Sequence, residues 1–70
     1  MNFACVTRVA DKIKVNDWIG HSGGRYKVVA IHLVHLDDMW RILFVFSNGL
    51  SFLTFPDNIL EIFQHPSNSD

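Results

Sequence analysis

The sequence predicts a single small all-β domain, a five-stranded barrel with one short helical turn before its last strand. Three observations carry this prediction. The 70 residues leave room for one core only. They are 49% hydrophobic and 19% charged, too apolar and too weakly charged for disorder. β-Branched and aromatic residues recur in runs of about five to ten, punctuated by clusters of Gly, Asn, Asp, Ser and Pro, which is the pattern of a meander.

The elements follow in chain order. Phe3 to Val9 predicts an edge strand, with Phe3, Cys5 and Thr7 alternating against Ala4, Val6 and Arg8. In Lys12-Ile13-Lys14-Val15 the alternation places Ile13 and Val15 inward and both lysines outward, and Asn16-Asp17 then bends the chain into Trp18-Ile19. His21-Ser22-Gly23-Gly24 is the strongest turn signal, because paired glycines accept the positive φ of a tight hairpin. Arg25 to Leu36 is long enough for a bent strand that serves two sides of a barrel. Asp37-Asp38 turns it into a strand from Met39 to Phe46, and Ser47-Asn48-Gly49 makes a second hairpin into Leu50 to Phe55. Pro56-Asp57-Asn58 cannot continue a central strand, since Pro lacks the ladder donor; a turn of tight helix is expected around Asp57 to Leu60. Leu60 to Phe63 closes the sheet. The domain is therefore expected to span residues 1–63, with 64–70 as a flexible C-terminal tail.

This order of elements resembles the small Src-homology-3-like barrels, including the KOW and Tudor-like domains of transcription, translation and phage proteins. The resemblance lies in Val15-Asn16-Asp17-Trp18-Ile19, in the hairpin Gly23-Gly24-Arg25-Tyr26-Lys27-Val28-Val29, and in the late strand, turn and closing strand from Phe52 to Phe63. Such barrels often carry Gly-Asp where this chain has Asn16-Asp17, and Asn also tolerates left-handed backbone angles. The resemblance implies an architecture, and a fold with so many activities implies no single one.

Composition bounds the function. Six Lys and Arg against seven Asp and Glu, a net charge of −1, create no global field that would gather a polyanion. The one cysteine, Cys5, excludes an intramolecular disulfide framework and fits a reducing, cytoplasmic setting. The longest apolar runs are about five residues, far short of a signal or membrane-spanning segment, so no membrane association is expected.

Catalysis finds little support. His32, His35, Asp37 and Asp38 form a polar cluster with metal-ligating side chains, but on a strand the two imidazoles point to opposite faces and no second thiolate completes a structural site. Cys5 has no local nucleophile signature with His21, His32, His35 or His65. No enzyme activity, cofactor, metal or small-molecule substrate is expected.

Binding remains, in two forms. The strands Ile42-Leu43-Phe44-Val45-Phe46 and Val28-Val29-Ala30-Ile31 are apolar on both faces. If even positions of the first fill the core, Leu43 and Val45 look outward; with Val29 and Ile31 they make a candidate protein interface, covered by the segment Phe3 to Val9, by a second copy or by another protein. Burying about 600 Å² of apolar surface per chain contributes on the order of 15 kcal/mol gross, before association costs. The alternative is single-stranded nucleic acid, on a basic and aromatic strip of Lys12, Lys14, Arg25 and Lys27 with Trp18, Tyr26 and Trp40. Asp11, Asp17, Asp37 and Asp38 lie near those basic groups in sequence, so the strip also reads as a solvated strand face. The expected module acts by self-association or by docking onto, or blocking, a partner protein. That is also the format of small phage or mobile-element proteins that occupy a surface of a host enzyme.

Overall fold

The computed structural model describes residues 4–64. It is all-β and antiparallel, with six strands: β1 (Ala4–Val9), β2 (Trp18–His21), β3 (Gly24–Leu36), β4 (Met39–Phe46), β5 (Ser51–Thr54) and β6 (Ile59–Gln64). They pair in the order β1-β6-β2-β3-β4-β5, one open sheet whose edges are β1 and β5. The all-β class stands, with six strands in one open sheet; β1 pairs with β6 from Ala4 to Val9.

β3 is the hinge of the architecture. Its first residues, Gly24 to Lys27, pair with β2, and from Val28 onward it pairs with β4. The register slips between Val28 and Ala30, leaving Val29 as the extra residue of a bulge. Before the bulge Tyr26 and Val28 turn inward; after it Ile31, opposite the buried Phe44, turns inward instead. One added residue has exchanged the two faces of the strand.

The halves of the sheet meet over one core. Ile19 and Ile62 come from β2 and β6, Ile42, Phe44 and Phe46 from β4, Val28 from β3, and Ala10 and Ile13 from the segment after β1. Phe44, Ile19, Ile62 and Val28 are the largest side chains fully removed from water. In β4 the inward residues are the even-numbered ones, as the alternation predicts.

Two expected elements differ. The alternation expected over Lys12 to Val15 fails at Val15: Ala10–Lys12 forms a 3-10 turn, tied to the β5–β6 loop by Ala10 N–H donating to the Asn58 carbonyl at 2.8 Å and Asp11 N–H to that of Pro56 at 3.1 Å. The Asp17 carboxylate then accepts the Lys14 N–H at 2.9 Å, and Asn16 takes φ of 80°. These local bonds outweigh a four-residue alternation. Ile13 is buried as expected, whereas Val15 is exposed. The second difference is the connection after β5. It is a turn closed by Asn58 N–H to the Phe55 carbonyl at 3.1 Å rather than a helical turn at Asp57 to Leu60, and the Asn58 amide donates to the buried Thr54 hydroxyl at 2.8 Å. Ile59 already belongs to β6.

The hairpin turns follow the predicted places with different backbone detail. At β2–β3 the positive φ values fall on Ser22 and Gly23, and Gly24 begins the strand. At β3–β4 both Asp37 and Asp38 adopt positive φ, the signature of a two-residue primed turn built without glycine. Gly49 takes φ of 89° at β4–β5. The tail assigned to 64–70 lies outside the described residues except for Gln64, which ends β6.

Candidate interaction surfaces

β3 and β4 run on past β5 as a two-stranded arm. β5 pairs only with Ile42 to Val45, whereas the β3–β4 ladder continues out to Leu36 and Met39. The arm contributes to a long molecule of 42 × 23 × 23 Å. Because cross-strand partners share a face, the register lays out what the arm and the adjoining sheet present outward. Val45 lies between Ala30 and Ser51, Leu43 between His32 and Leu53, Arg41 opposite Val34, and Met39 opposite Leu36. Phe55 joins them, its ring 5.1 Å beneath the Arg41 guanidinium. This outer face is apolar from the body of the sheet to the arm tip: Leu43, Val45 and Val34 are half-buried, and Leu36, Met39, Leu53 and Phe55 are exposed.

Of the four residues predicted for a protein interface, Leu43 and Val45 sit side by side on this face. Val29 is exposed at the bulge. Ile31 is corrected: the bulge turns it inward against the core, opposite Phe44. Of the segment Phe3 to Val9, the residues Ala4 to Val9 pair with β6 and not with β4. They form β1, with three strands between it and β4 in the strand order.

A second surface, the outside of β2, β6 and the first part of β3, collects part of the basic and aromatic strip. Trp18 is paired with Lys27 on one side and Phe63 on the other, and Gly20 with Arg25 and Glu61, which puts Trp18, Lys27, Phe63, Arg25 and Glu61 on one surface. The Arg25 guanidinium lies 5.6 Å from the centre of the Phe63 ring, in cation–π range. Gly20 to Arg25 together with Glu61 and Phe63 line an open groove of about 300 Å³. Phe63 was not among the residues predicted for this strip. It reaches Trp18 through a long-range strand pairing that no local pattern reveals.

The other members of the strip are elsewhere. Tyr26 packs inward, stacked on Phe46 at 5.1 Å, and is a core residue rather than a stacking platform. Trp40 stands on the arm beside His35, ring centres 4.8 Å apart. Lys12 belongs to the 3-10 turn and Lys14 to the loop after it, and both are exposed.

His32 and His35 fall on opposite faces of β3, opposite Leu43 and Trp40 respectively. Among the described residues no three His, Cys, Asp or Glu side chains are grouped to hold a metal ion. Cys5 is an exposed free thiol on the edge strand β1. No helix of the described residues is long and apolar enough to cross a membrane. Comparison with protein-family models, with curated proteins and with solved structures gave no match.

Proposed function

We propose that this protein is a non-enzymatic binding module that docks a protein partner, a second copy included, on the outer face of β3, β4 and β5. The carrying observation is the continuity of that face: Val45, Leu43, Leu53, Val34, Phe55, Leu36 and Met39 follow one another from the sheet body to the arm tip, with Arg41 as the one cation among them. Contiguous exposed apolar surface of this kind marks interaction sites. The architecture proposed for the module is a small Src-homology-3-like barrel. When β1 is set aside, five strands pair in the order β6-β2-β3-β4-β5 around a single core, which fits that resemblance.

The test is photo-crosslinking in cells from a reactive residue placed at Leu53, with Lys12 as the control position. The expected result is a discrete protein adduct at Leu53 that disappears when Leu43 and Val45 are both changed to Ser. Equal labelling from Leu53 and Lys12 overturns the proposal.

A second reading, binding of single-stranded nucleic acid, is favoured by the convergence of Trp18, Phe63, Arg25 and Lys27 on the surface of β2, β6 and the first part of β3. It requires affinity for short single strands at low salt that weakens as salt rises and is lost when Arg25 and Lys27 become Ala. Absence of binding at low salt ends it.

A further inference from the structure

Beyond Lys27 one edge of β3 has no strand beside it. β2 pairs only as far as Lys27, and Asn16 and Asp17 bond both backbone groups of Val28: Asn16 N–H to its carbonyl at 2.8 Å, and its own N–H to the Asp17 carbonyl at 2.9 Å. From Ala30 to Leu36 only β4 accompanies β3, on the other side, and among the described residues nothing continues the sheet there. This rail is roughly 23 Å long at the rise of a strand. Its sequence, Ala-Ile-His-Leu-Val-His-Leu, holds no Pro, Lys, Arg, Asp or Glu, the residues that keep natural edges from pairing. The middle residue, Leu33, is 69% exposed, the highest value among the large apolar side chains described.

We propose that this edge pairs with the same edge of a second copy, antiparallel about a two-fold axis at Leu33. The inference goes beyond the outer-face reading, because it concerns the backbone edge of β3 and names both the partner and the register. A two-fold axis through an antiparallel ladder passes between identical residues that face each other directly. An axis at Leu33 pairs residues 30–36 along their whole length: Ala30 faces the partner's Leu36, Ile31 the partner's His35, and His32 the partner's Val34. Directly after Leu36 the partner chain turns back to its own β4 through Asp37-Asp38, so the ladder ends before Val28 and the Asn16-Asp17 loop that holds it. An axis at His32 drives the partner's Leu36 against Val28, whose backbone groups the Asn16-Asp17 loop already holds. An axis at Val34 leaves Ala30 and Ile31 without partners. The rail is thus as long as its own pairing demands and is bounded at both ends by features that prevent slippage. Leu33 and the His35–Trp40 pair share one face of the arm, so pairing sets the two Leu33 side chains against each other there.

The test uses the full chain. Light scattering over a range of concentrations is expected to give a dimer, with loss of the dimer and retention of the far-ultraviolet β spectrum in Leu33→Glu. In a Cys5→Ser background, Leu33→Cys is expected to oxidise to a covalent dimer, because directly opposed residues of an antiparallel pair have Cα atoms about 4.5–5.5 Å apart, within the span of a disulfide. Ile59→Cys, at an equally exposed site away from the rail, is the control and should stay monomeric on a non-reducing gel. A single-chain mass at every concentration overturns the proposal, as does a dimer in which Leu33→Cys crosslinks no better than Ile59→Cys. Either result leaves the outer-face reading standing, since that is read independently from Leu53.

Discussion

The Phe63 ring lies across Gly20: a Cβ added to Gly20 would stand 2.7 Å from the ring Cε2 and 3.2 Å from the Glu61 carboxylate. Strands β2 and β6 are in register here, so the glycine is what lets the aromatic ring rest on the neighbouring backbone while Arg25 stacks on it.

Gly20→Ala is therefore expected to destabilise the domain by about 1–3 kcal/mol, the usual cost of overpacking a close contact. In a Phe63→Ala background the same change should cost much less. A double-mutant cycle by urea denaturation measures the coupling, and additivity would show that the ring is not what crowds the site.

Phe44 is fully buried at the centre of the core. Phe44→Ala is expected to cost about 3–5 kcal/mol. For a domain of this size that approaches the whole margin of about 5–15 kcal/mol, so the variant should lose most of its cooperative thermal transition in circular dichroism.

The β3–β4 turn carries positive φ at Asp37, 51°, and Asp38, 60°. Glycine has no Cβ to oppose that conformation, and Asp38→Gly is expected to raise stability by up to about 1 kcal/mol. Asp38→Val should lower it by about 1–2 kcal/mol, because a β-branched side chain in the left-handed region is strained. Chemical denaturation midpoints at equal slope decide both.

Leu43→Ser with Val45→Ser removes apolar surface from a half-buried outer face, whereas Ile42→Ser with Phe44→Ser removes it from the interior. The first pair is expected to leave the β spectrum and a cooperative transition in place while abolishing partner association in a co-sedimentation assay. The second pair should not fold. If the outer pair unfolds the chain as well, those side chains serve the fold rather than a partner.

Thr54 is buried, and its hydroxyl accepts a hydrogen bond from the Asn58 amide at 2.8 Å. Thr54→Val leaves that donor without its acceptor and is expected to cost about 1 kcal/mol. Hydrogen exchange in the β5–β6 turn should quicken more than in β3.

The local sequence by itself determined the class and most of the punctuation. Alternation in Ile42 to Phe46 decided which side of β4 enters the core, since a strand repeats every two residues whatever surrounds it. Asp37-Asp38 and Ser47-Asn48-Gly49 marked their turns through residues that tolerate positive φ. The tertiary structure alone decided the rest. A bulge at Val29 exchanged the faces of β3 and turned Ile31 against the core; the length of Arg25 to Leu36 predicts a bend, but its place is set by the pairing with β4. Hydrogen bonds donated to carbonyls of the β5–β6 loop hold residues 10–12 in a 3-10 turn, which the alternation of Lys12 to Val15 does not mark. Half of the candidate surfaces were legible for the same reason: Leu43 and Val45 follow from period, whereas the meeting of Trp18 with Phe63 and the bare edge of β3 exist only once distant strands choose their partners.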